Sequence, residues 1–245
     1  MAAPCCNRIP IYDTSSLLSC LLFYTALRWV EKPHALVGWE SAMSELKTII
    51  FDLGNVIIPF DFRRGYAAMA QHTAVPAAEI PERIRETGWV PELESGRIEP
   101  RDFVERINGL LGASLSYEGF REVWSSIFLP DTLIPIDLVR ELKKSHRMLV
   151  LSNTNAIHID MVSETYPILH EFDHLVLSHD VKAMKPEPAI YAAALAHAQA
   201  RPEECFFTDD ILAYVEGARQ AGIQAEQFLG YEKLLGDLRA RGVSV

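Results

Sequence analysis

The chain has 245 residues, of which 49% are hydrophobic and 23% are charged. This length and composition allow one domain of good size, or a domain with an insertion, and they exclude a wholly disordered chain. The formal net charge is −10, which argues against a general nucleic-acid binder and means that an anionic ligand needs a local cation or a metal.

The N-terminal segment 1–42 shows no pattern that matches the rest of the chain, and we expect it to be an extension, either disordered or ahead of a natural start at Met43. Leu17–Ala26 is apolar but too short to cross a bilayer, and it lacks the basic start of a signal peptide. The four cysteines have the spacing of neither a disulfide framework nor a zinc site. They are Cys5, Cys6, Cys20 and Cys205. We therefore expect a cytoplasmic protein with no membrane partner.

The first element of the folded region is a short apolar run, Lys47–Asp52, which predicts a buried strand that ends in an acid. Gly54 interrupts this pattern, and Val56–Pro59 is typical of a brief flap or hairpin. The segment that follows has the spacing of amphipathic helices, with glycines and prolines between them. The predicted helices are Arg63–His72, Ala77–Thr87, Pro100–Leu111 and Tyr117–Ser126. We therefore expect a helical insertion over 62–132.

After Pro135 the pattern alternates between helices and short apolar strands. The predicted strands are Met148–Leu151, His174–Leu177, Cys205–Phe207 and Ile223–Phe228, and the predicted helices are Ile136–Ser145, Ala156–Glu164, Glu187–Gln199, Ile211–Ala221 and Tyr231–Arg241. This alternation predicts an α/β fold, a doubly wound parallel sheet with helices on both faces. The core domain would comprise 43–61 and 133–245. In such folds, ligands bind at the carboxyl ends of the strands.

Four short motifs occur in order along the chain, and three of them directly follow predicted strands. They are Phe51-Asp52-Leu53-Gly54-Asn55-Val56, Leu151-Ser152-Asn153-Thr154, Lys185-Pro186-Glu187 and Phe206-Phe207-Thr208-Asp209-Asp210. Together they supply a carboxylate, a hydroxyl, a lysine and an acidic pair. These are the groups needed to attack a phosphate ester beside a metal ion, and the strand ends would bring them together.

The four motifs together resemble the haloacid dehalogenase-like superfamily, from Lys47 to the C-terminus. With Asp61-Phe62 and Val215-Glu216-Gly217-Ala218, the match looks like the glucose-1-phosphate phosphatase branch. The resemblance implies a parallel-sheet core with a helical cap inserted after the first core strand. It also implies a hydrolase that uses Mg²⁺ and acts on a small-molecule phosphate ester, with the cap selecting the substrate.

Within this resemblance Asp52 is the nucleophile. A carboxylate is ionised at neutral pH, since free Asp has a pKa of about 3.9, so it can attack phosphorus without a base and form an aspartyl-phosphate. Ser152 and the backbone N–H of Asn153 would bind phosphate oxygens, although Ser-Asn-Thr is also a common helix cap. Lys185 would bind the phosphate and neutralise charge as it shifts during the reaction.

The resemblance also implies a set of metal ligands. Mg²⁺ binds through one or two carboxylates together with phosphate and water oxygens. Asp52 and Asp210 would supply the carboxylates, and the backbone carbonyl of Gly54 would be a further ligand. Asp209 would support this set from outside it.

Two positions depart from the family pattern. Gly54 stands where the phosphatases usually carry an Asp as general acid, although the close branch also has glycine there. Loss of a general acid typically costs ~10²–10⁴ in rate, least for a good leaving group. Tyr214 stands where the family often has Asp or Asn, which would weaken the outer shell of the metal. Asp61 is a candidate substitute acid, and its alternative interpretation is a surface turn residue.

Three functions remain open at this stage. The first is a magnesium-dependent phosphatase of small phosphorylated metabolites, with sugar phosphates as candidates. The second is a 2-haloacid dehalogenase, in which Asp52 attacks carbon without a metal; those enzymes carry an aromatic residue at the position of Gly54 and lack the acidic pair. The third is a non-catalytic binding or regulatory module, which Gly54 and Tyr214 would favour.

Overall fold

The structure is a computed structural model, and it describes residues 45–245. The predictions for the segment 1–42 and for a start at Met43 lie outside the described residues. The same holds for Cys5, Cys6 and Cys20.

A five-stranded parallel sheet, with the strand order β3-β2-β1-β4-β5, forms the centre of the described region. The strands are β1 (Thr48–Phe51), β2 (Arg147–Ser152), β3 (His174–Leu177), β4 (Cys205–Asp209) and β5 (Gln224–Gln227). Phe51 is in register with Val150 of β2 and Thr208 of β4, so these three strands end at one edge. Every residue of β1 and β4 is buried, as expected of strands covered on both faces. The predicted α/β parallel fold is confirmed.

Six α-helices lie between β1 and β2, and five α-helices follow β2. The first group is α1 (Phe62–Met69), α2 (Ile80–Thr87), α3 (Trp89–Glu94), α4 (Pro100–Leu111), α5 (Tyr117–Ser125) and α6 (Ile136–Lys143). The second is α7 (Ala156–Thr165), α8 (Ser178–Val181), α9 (Pro188–Ala198), α10 (Leu212–Gln220) and α11 (Tyr231–Arg239). Within residues 45–245, no helix is long and apolar enough to cross a membrane. The sequence did not predict α3 and α8, because elements this short do not establish a helical period.

Hydrophobic clusters cover the two faces of the sheet. Ile49 and Phe51 belong to one cluster with residues of α6, α7 and α11, whereas Ile50 belongs to the other with residues of α9 and α10. This division follows from the two-residue period of a strand, which sends successive side chains to opposite faces. Both faces of the sheet are therefore covered by apolar side chains.

The helices α1 to α5 have a hydrophobic cluster of their own. Phe103 and Phe120 are completely buried in it, and their rings pack edge to face with centroids 6.0 Å apart. Ile157 of α7 also belongs to this cluster, so the helical segment is joined to the core beside the end of β2. That 62–132 acts as a cap domain remains a proposal, with this separate cluster as its support.

Two helical glycines provide a test of packing. A Cβ on Gly217 of α10 would lie 2.6 Å from Tyr191 Oη, whereas a Cβ on Gly236 of α11 would meet nothing within 4 Å. We expect Gly217→Ala to lower the free energy of unfolding by about 1–3 kcal/mol through overpacking. Gly236→Ala is expected to raise it by about 0.5–1 kcal/mol, since alanine favours a helix. Urea unfolding measures both, and effects of the same sign would contradict the packing at Tyr191.

Candidate active site

Asp52 directly follows β1 and is held against the neighbouring strand β4. Its backbone N–H donates to Thr208 O at 2.9 Å. The side chain is buried, and its Oδ1 lies 2.7 Å from Lys185 Nζ. Burial raises the pKa of Asp52 to about 7, although the Lys185 ammonium opposes this shift. The ion pair with Lys185 therefore favours the charged carboxylate at a position where burial favours the neutral acid.

Lys185 is a buried cation with all of its donors in use. Its Nζ lies 2.6 Å from Asp209 Oδ2 and donates to Leu151 O at 3.0 Å, in addition to its contact with Asp52. An ammonium group has three N–H donors, and these three oxygens satisfy them. Burial alone would lower the pKa of Lys185, but the carboxylates of Asp52 and Asp209 outweigh burial and raise it. Lys185 is therefore a permanent positive charge at the strand ends.

The backbone of Lys185 is held by the side chain of Asn153. Lys185 N–H donates to Asn153 Oδ1 at 2.8 Å, and Asn153 Nδ2 donates to Lys185 O at 3.0 Å. This pair of hydrogen bonds joins the loop after β2 to the lysine motif. The sequence predicted a role for the backbone N–H of Asn153, and the positioning role of its side chain was missed.

Three carboxylates gather beside Lys185. Asp52, Asp209 and Asp210 each place one oxygen so that the three atoms lie within 4.8 Å of one another. Both oxygens of Asp209 already accept hydrogen bonds, one from Lys185 and one from Ile211 N–H at 2.8 Å. Burial, followed by the charge of Asp209, raises the pKa of Asp210. One buried ammonium does not balance three carboxylates, so this donor set fits a hard divalent cation such as Mg²⁺.

Asn55 was not predicted as a site residue, although it lies inside the first motif. Its Nδ2 donates to Asp210 Oδ2 at 3.4 Å. The φ angle of Asn55 is 54°, a left-handed conformation that asparagine tolerates better than most residues. Asparagine directly after a glycine at a strand end was the signal that could have identified it.

Ser152 and Gly54 lie at the same edge of the sheet. Ser152 is buried as the last residue of β2, in register with Leu177 of β3. Gly54 forms an isolated bridge with Ile58 in the flap. A Cβ on Gly54 would lie 2.7 Å from Phe60 Cε1. The ring of Phe60 therefore stands over the position where the family usually has its second Asp.

Asp61 does not join the carboxylate cluster. It caps the N-terminus of α1, accepting from Arg63 N–H at 3.0 Å, and its Oδ2 lies 2.8 Å from Arg63 Nη2. These hydrogen bonds from Arg63 lower the pKa of Asp61. A carboxylate held ionised at the surface is a poor proton donor at neutral pH, so the geometry favours the surface-turn interpretation of this residue.

Tyr214 packs on Lys185 and does not point into the carboxylate cluster. Lys185 Nζ lies 5.1 Å from the centroid of the Tyr214 ring, within the range of a cation–π contact. The hydroxyl of Tyr214 lies 3.5 Å from Asn153 Nδ2, and its carbonyl accepts from Tyr191 Oη at 2.7 Å. Tyr214 thus covers the lysine where the family often has an acidic or amide side chain.

A cavity of about 340 Å³ lies among the helices that follow β1. Phe62, Tyr66 and Trp124 are among its mostly apolar lining residues, and His158 of α7 also reaches it. The Phe62 ring lies 4.9 Å from that of Phe60, which covers Gly54. The cavity is therefore next to the flap, and its volume is in the range of pockets that bind small organic molecules.

Comparisons with known proteins point to one family. A family model described as a haloacid dehalogenase-like hydrolase matches residues 46–222. The chain is 28% identical to a D-ribitol-5-phosphate phosphatase of Bacteroides thetaiotaomicron. The 188 aligned residues cover 74% of this chain and 91% of that relative. It is 27% identical over 195 residues to a phosphatase of Mycobacterium tuberculosis, covering 74% and 86% of the two chains.

A solved structure shows the same architecture. It is a haloacid dehalogenase family enzyme of Bacteroides thetaiotaomicron in complex with magnesium and inorganic phosphate. The two chains superpose with a TM-score of 0.66 and 29% sequence identity, over 74% of this chain and 93% of that chain.

The buried ion pairs of Lys185 predict a large loss of stability in Lys185→Met. This variant leaves the carboxylates of Asp52 and Asp209 buried without their cation, which costs about 3–5 kcal/mol in comparable cases. We expect the free energy of unfolding in urea, measured with EDTA, to fall by that amount. Lys144→Met is the control, since Lys144 is exposed and pairs with Glu141 at the surface, and it is expected to change stability by about 0.5 kcal/mol or less. Equal effects would contradict the buried ion pairs.

Proposed function

The chain belongs to the haloacid dehalogenase-like hydrolase family, as its motifs predicted, and we propose that it is a magnesium-dependent phosphatase of small phosphorylated metabolites. Sugar phosphates are the proposed substrate class, and the similarity to a D-ribitol-5-phosphate phosphatase supports it. The observation that carries the proposal is the placement of Lys185 between Asp52 and Asp209, with Asp210 beside them. The narrower resemblance to the glucose-1-phosphate phosphatase branch stays a prediction.

In this proposal the carboxylate of Asp52 attacks phosphorus. The ammonium group of Lys185 forms an ion pair with Oδ1 of Asp52. The other carboxylate oxygen, Oδ2, is the proposed attacking atom. The phosphorus–oxygen bond to the leaving group breaks as the aspartyl-phosphate forms. Ser152 and the backbone N–H of Asn153 bind the phosphate oxygens, and the charge of Lys185 stabilises the negative charge that accumulates there. A water molecule then hydrolyses the intermediate.

Asp52 and Asp210 are the residues that would hold Mg²⁺, with the carbonyl of Gly54 as a third ligand. Asp209 supports the site by holding Lys185, since both of its oxygens are engaged by protein donors. When bound, the cation reduces the repulsion between an anionic nucleophile and an anionic substrate. The similar Bacteroides enzyme, whose structure contains magnesium and inorganic phosphate, supports this assignment.

Different observations bear on the two alternative functions, the 2-haloacid dehalogenase and the non-catalytic module. A 2-haloacid dehalogenase needs the nucleophile but not the acidic pair, so the gathering of Asp209 and Asp210 beside Asp52 favours the phosphatase. A non-catalytic role rests on Gly54 and Tyr214. The contact of Tyr214 with Lys185 leaves the ion pairs of Lys185 in place, which favours an active enzyme over that alternative.

The remaining partner and location assignments are also proposals. We propose a cytoplasmic enzyme whose partner is the small-molecule ester and that binds no nucleic acid. The buried free thiol of Cys205 and the acidic net charge are consistent with these two assignments.

The test of this function compares a variant of the proposed nucleophile with a variant of a proposed metal ligand. Asp52→Asn is expected to abolish turnover of an aryl phosphate in the presence of Mg²⁺, because an amide is a poor nucleophile. Asp210→Asn is expected mainly to raise the Mg²⁺ concentration needed for half-maximal activity, because an amide oxygen is a weaker ligand. The measurement is kcat/KM across a Mg²⁺ titration, with EDTA as the zero point.

Asp137→Asn is the matched control, since Asp137 is an exposed carboxylate of α6. It is expected to leave both activity and Mg²⁺ dependence unchanged. Equal, modest losses in the two site variants would contradict the assigned roles. Dechlorination of a 2-haloacid in EDTA would replace the phosphatase by the dehalogenase, and inactivity towards every ester and haloacid would favour the non-catalytic module.

A further inference from the structure

Thr154, the last residue of the Leu151-Ser152-Asn153-Thr154 motif, is held by a buried hydroxyl group from another part of the chain. Its backbone N–H donates to Ser178 Oγ at 2.9 Å, across 24 positions of the sequence. Ser178 is the first residue of α8, and it is completely buried. Ser178 was not predicted as a site residue, because nothing in the local sequence pattern indicates this contact.

The helix α8 binds both backbone groups of Thr154. Besides the N–H that donates to Ser178, Thr154 O lies 3.1 Å from His179 Nδ1. A carbonyl oxygen only accepts, so Nδ1 carries the proton in this contact. Ser152 is in register with Leu177, the residue before Ser178. The turn from Ser152 to Thr154 (the phosphate turn), which contains the proposed phosphate donors, is therefore attached to β3 and α8.

The same hydroxyl group also bonds to the helical segment. Ser178 Oγ donates to Glu94 O, at the end of α3, over 2.5 Å. Its other acceptor within reach is Thr154 O at 3.0 Å. A hydroxyl group has one proton, and the shorter distance assigns it to Glu94 O, since Thr154 O is already bound by His179. Ser178 therefore connects α3 to the phosphate turn.

The turn that follows α3 is packed closely against α8. Lys182 Nζ donates to Gly96 O at 2.9 Å. The φ of Gly96 is 63°, and a Cβ there would collide with His179 O, so this contact requires glycine. Glu94 O is therefore held against Ser178 by the contacts of the turn that comes after it.

We propose that Ser178 is a positioning residue of the phosphate site, an assignment that rests on the proposed phosphatase function. By holding the backbone N–H of Thr154, it fixes the positions of the Ser152 hydroxyl and the Asn153 N–H, the proposed phosphate donors. Ordering these donors before the substrate arrives lowers the entropic cost of binding. Without the hydroxyl group, Thr154 N–H is buried and unpaired, so the phosphate turn has to shift to find another acceptor. The seating of α3 on α8 is thereby part of the phosphate site.

The experiment measures the Kd of inorganic phosphate by calorimetry at a saturating Mg²⁺ concentration, together with kcat/KM for an aryl phosphate. We expect Ser178→Ala to raise this Kd and to lower kcat/KM by about 10- to 100-fold, the scale on which a small misplacement of binding groups acts. The Kd of Mg²⁺ measured without phosphate is expected to stay unchanged, because the proposed metal ligands follow β1 and β4. Ser178→Cys is expected to show a smaller change in the same direction, since a thiol is a weak donor and acceptor, and it carries the test if Ser178→Ala does not fold.

Ser95→Ala is the matched control. Ser95 is buried, like Ser178, and directly follows Glu94. Its Oγ donates to Pro91 O at 2.7 Å, so its hydrogen bond stays within the end of α3. The variant therefore removes a buried hydroxyl group that has no link to Thr154. We expect it to leave the phosphate Kd and kcat/KM at their wild-type values, whatever its effect on the free energy of unfolding in urea.

The outcomes separate the role of Ser178 from the phosphatase function. An unchanged phosphate Kd in the Ser178 variants, or an equal loss in Ser95→Ala, would overturn the role of Ser178 while the phosphatase function stands. A parallel loss of affinity for phosphate and for Mg²⁺ would identify Ser178 as a general structural residue and overturn its role as well. Wild-type protein that binds phosphate but cleaves no ester would overturn the phosphatase function alone, and wild-type protein that does neither would overturn both.

Discussion

The buried ammonium of Lys185 is the interaction on which the site depends. It joins Asp52 from the end of β1, Asp209 from the end of β4 and the carbonyl of Leu151 in β2. Removing an ammonium and two carboxylates from water is expensive, and a buried ion pair often stabilises a protein no more than apolar residues of the same volume. The arrangement is therefore better explained by function than by stability. The ion pair favours the charged form of Asp52, the proposed nucleophile, at a position where burial favours the neutral acid.

The sequence predicted the parts of the structure that local patterns determine. β1 and β4 are continuous apolar runs, because both of their faces are covered, and such runs are visible in a sequence. Asp52 directly follows β1 and Asp209 is the last residue of β4, so their meeting at the carboxyl edge of a parallel sheet was predictable. The boundaries of α4 were also predicted, since Pro100 opens the helix and Gly112 ends it with a φ of 65°.

Other features depend on contacts between distant segments, which no local pattern records. Asn153 was expected to act through its backbone, but its side chain holds Lys185 across thirty-two positions of the chain. The close approach of the Phe60 ring to Gly54 arises only when the flap folds back, so the sequence does not reveal it.

The departures at Gly54 and Tyr214 have a common consequence for the polarity of the site. Phe60 and Tyr214 place aromatic rings where related enzymes carry polar groups, which makes the surroundings of the nucleophile and of Lys185 less polar. A less polar site strengthens the attraction between Lys185 and its carboxylates. The two aromatic rings therefore reinforce the ion pairs that hold Asp52 and Asp209 against Lys185, so the polar groups that these positions lack are replaced by a stronger link between the ends of β1 and β4.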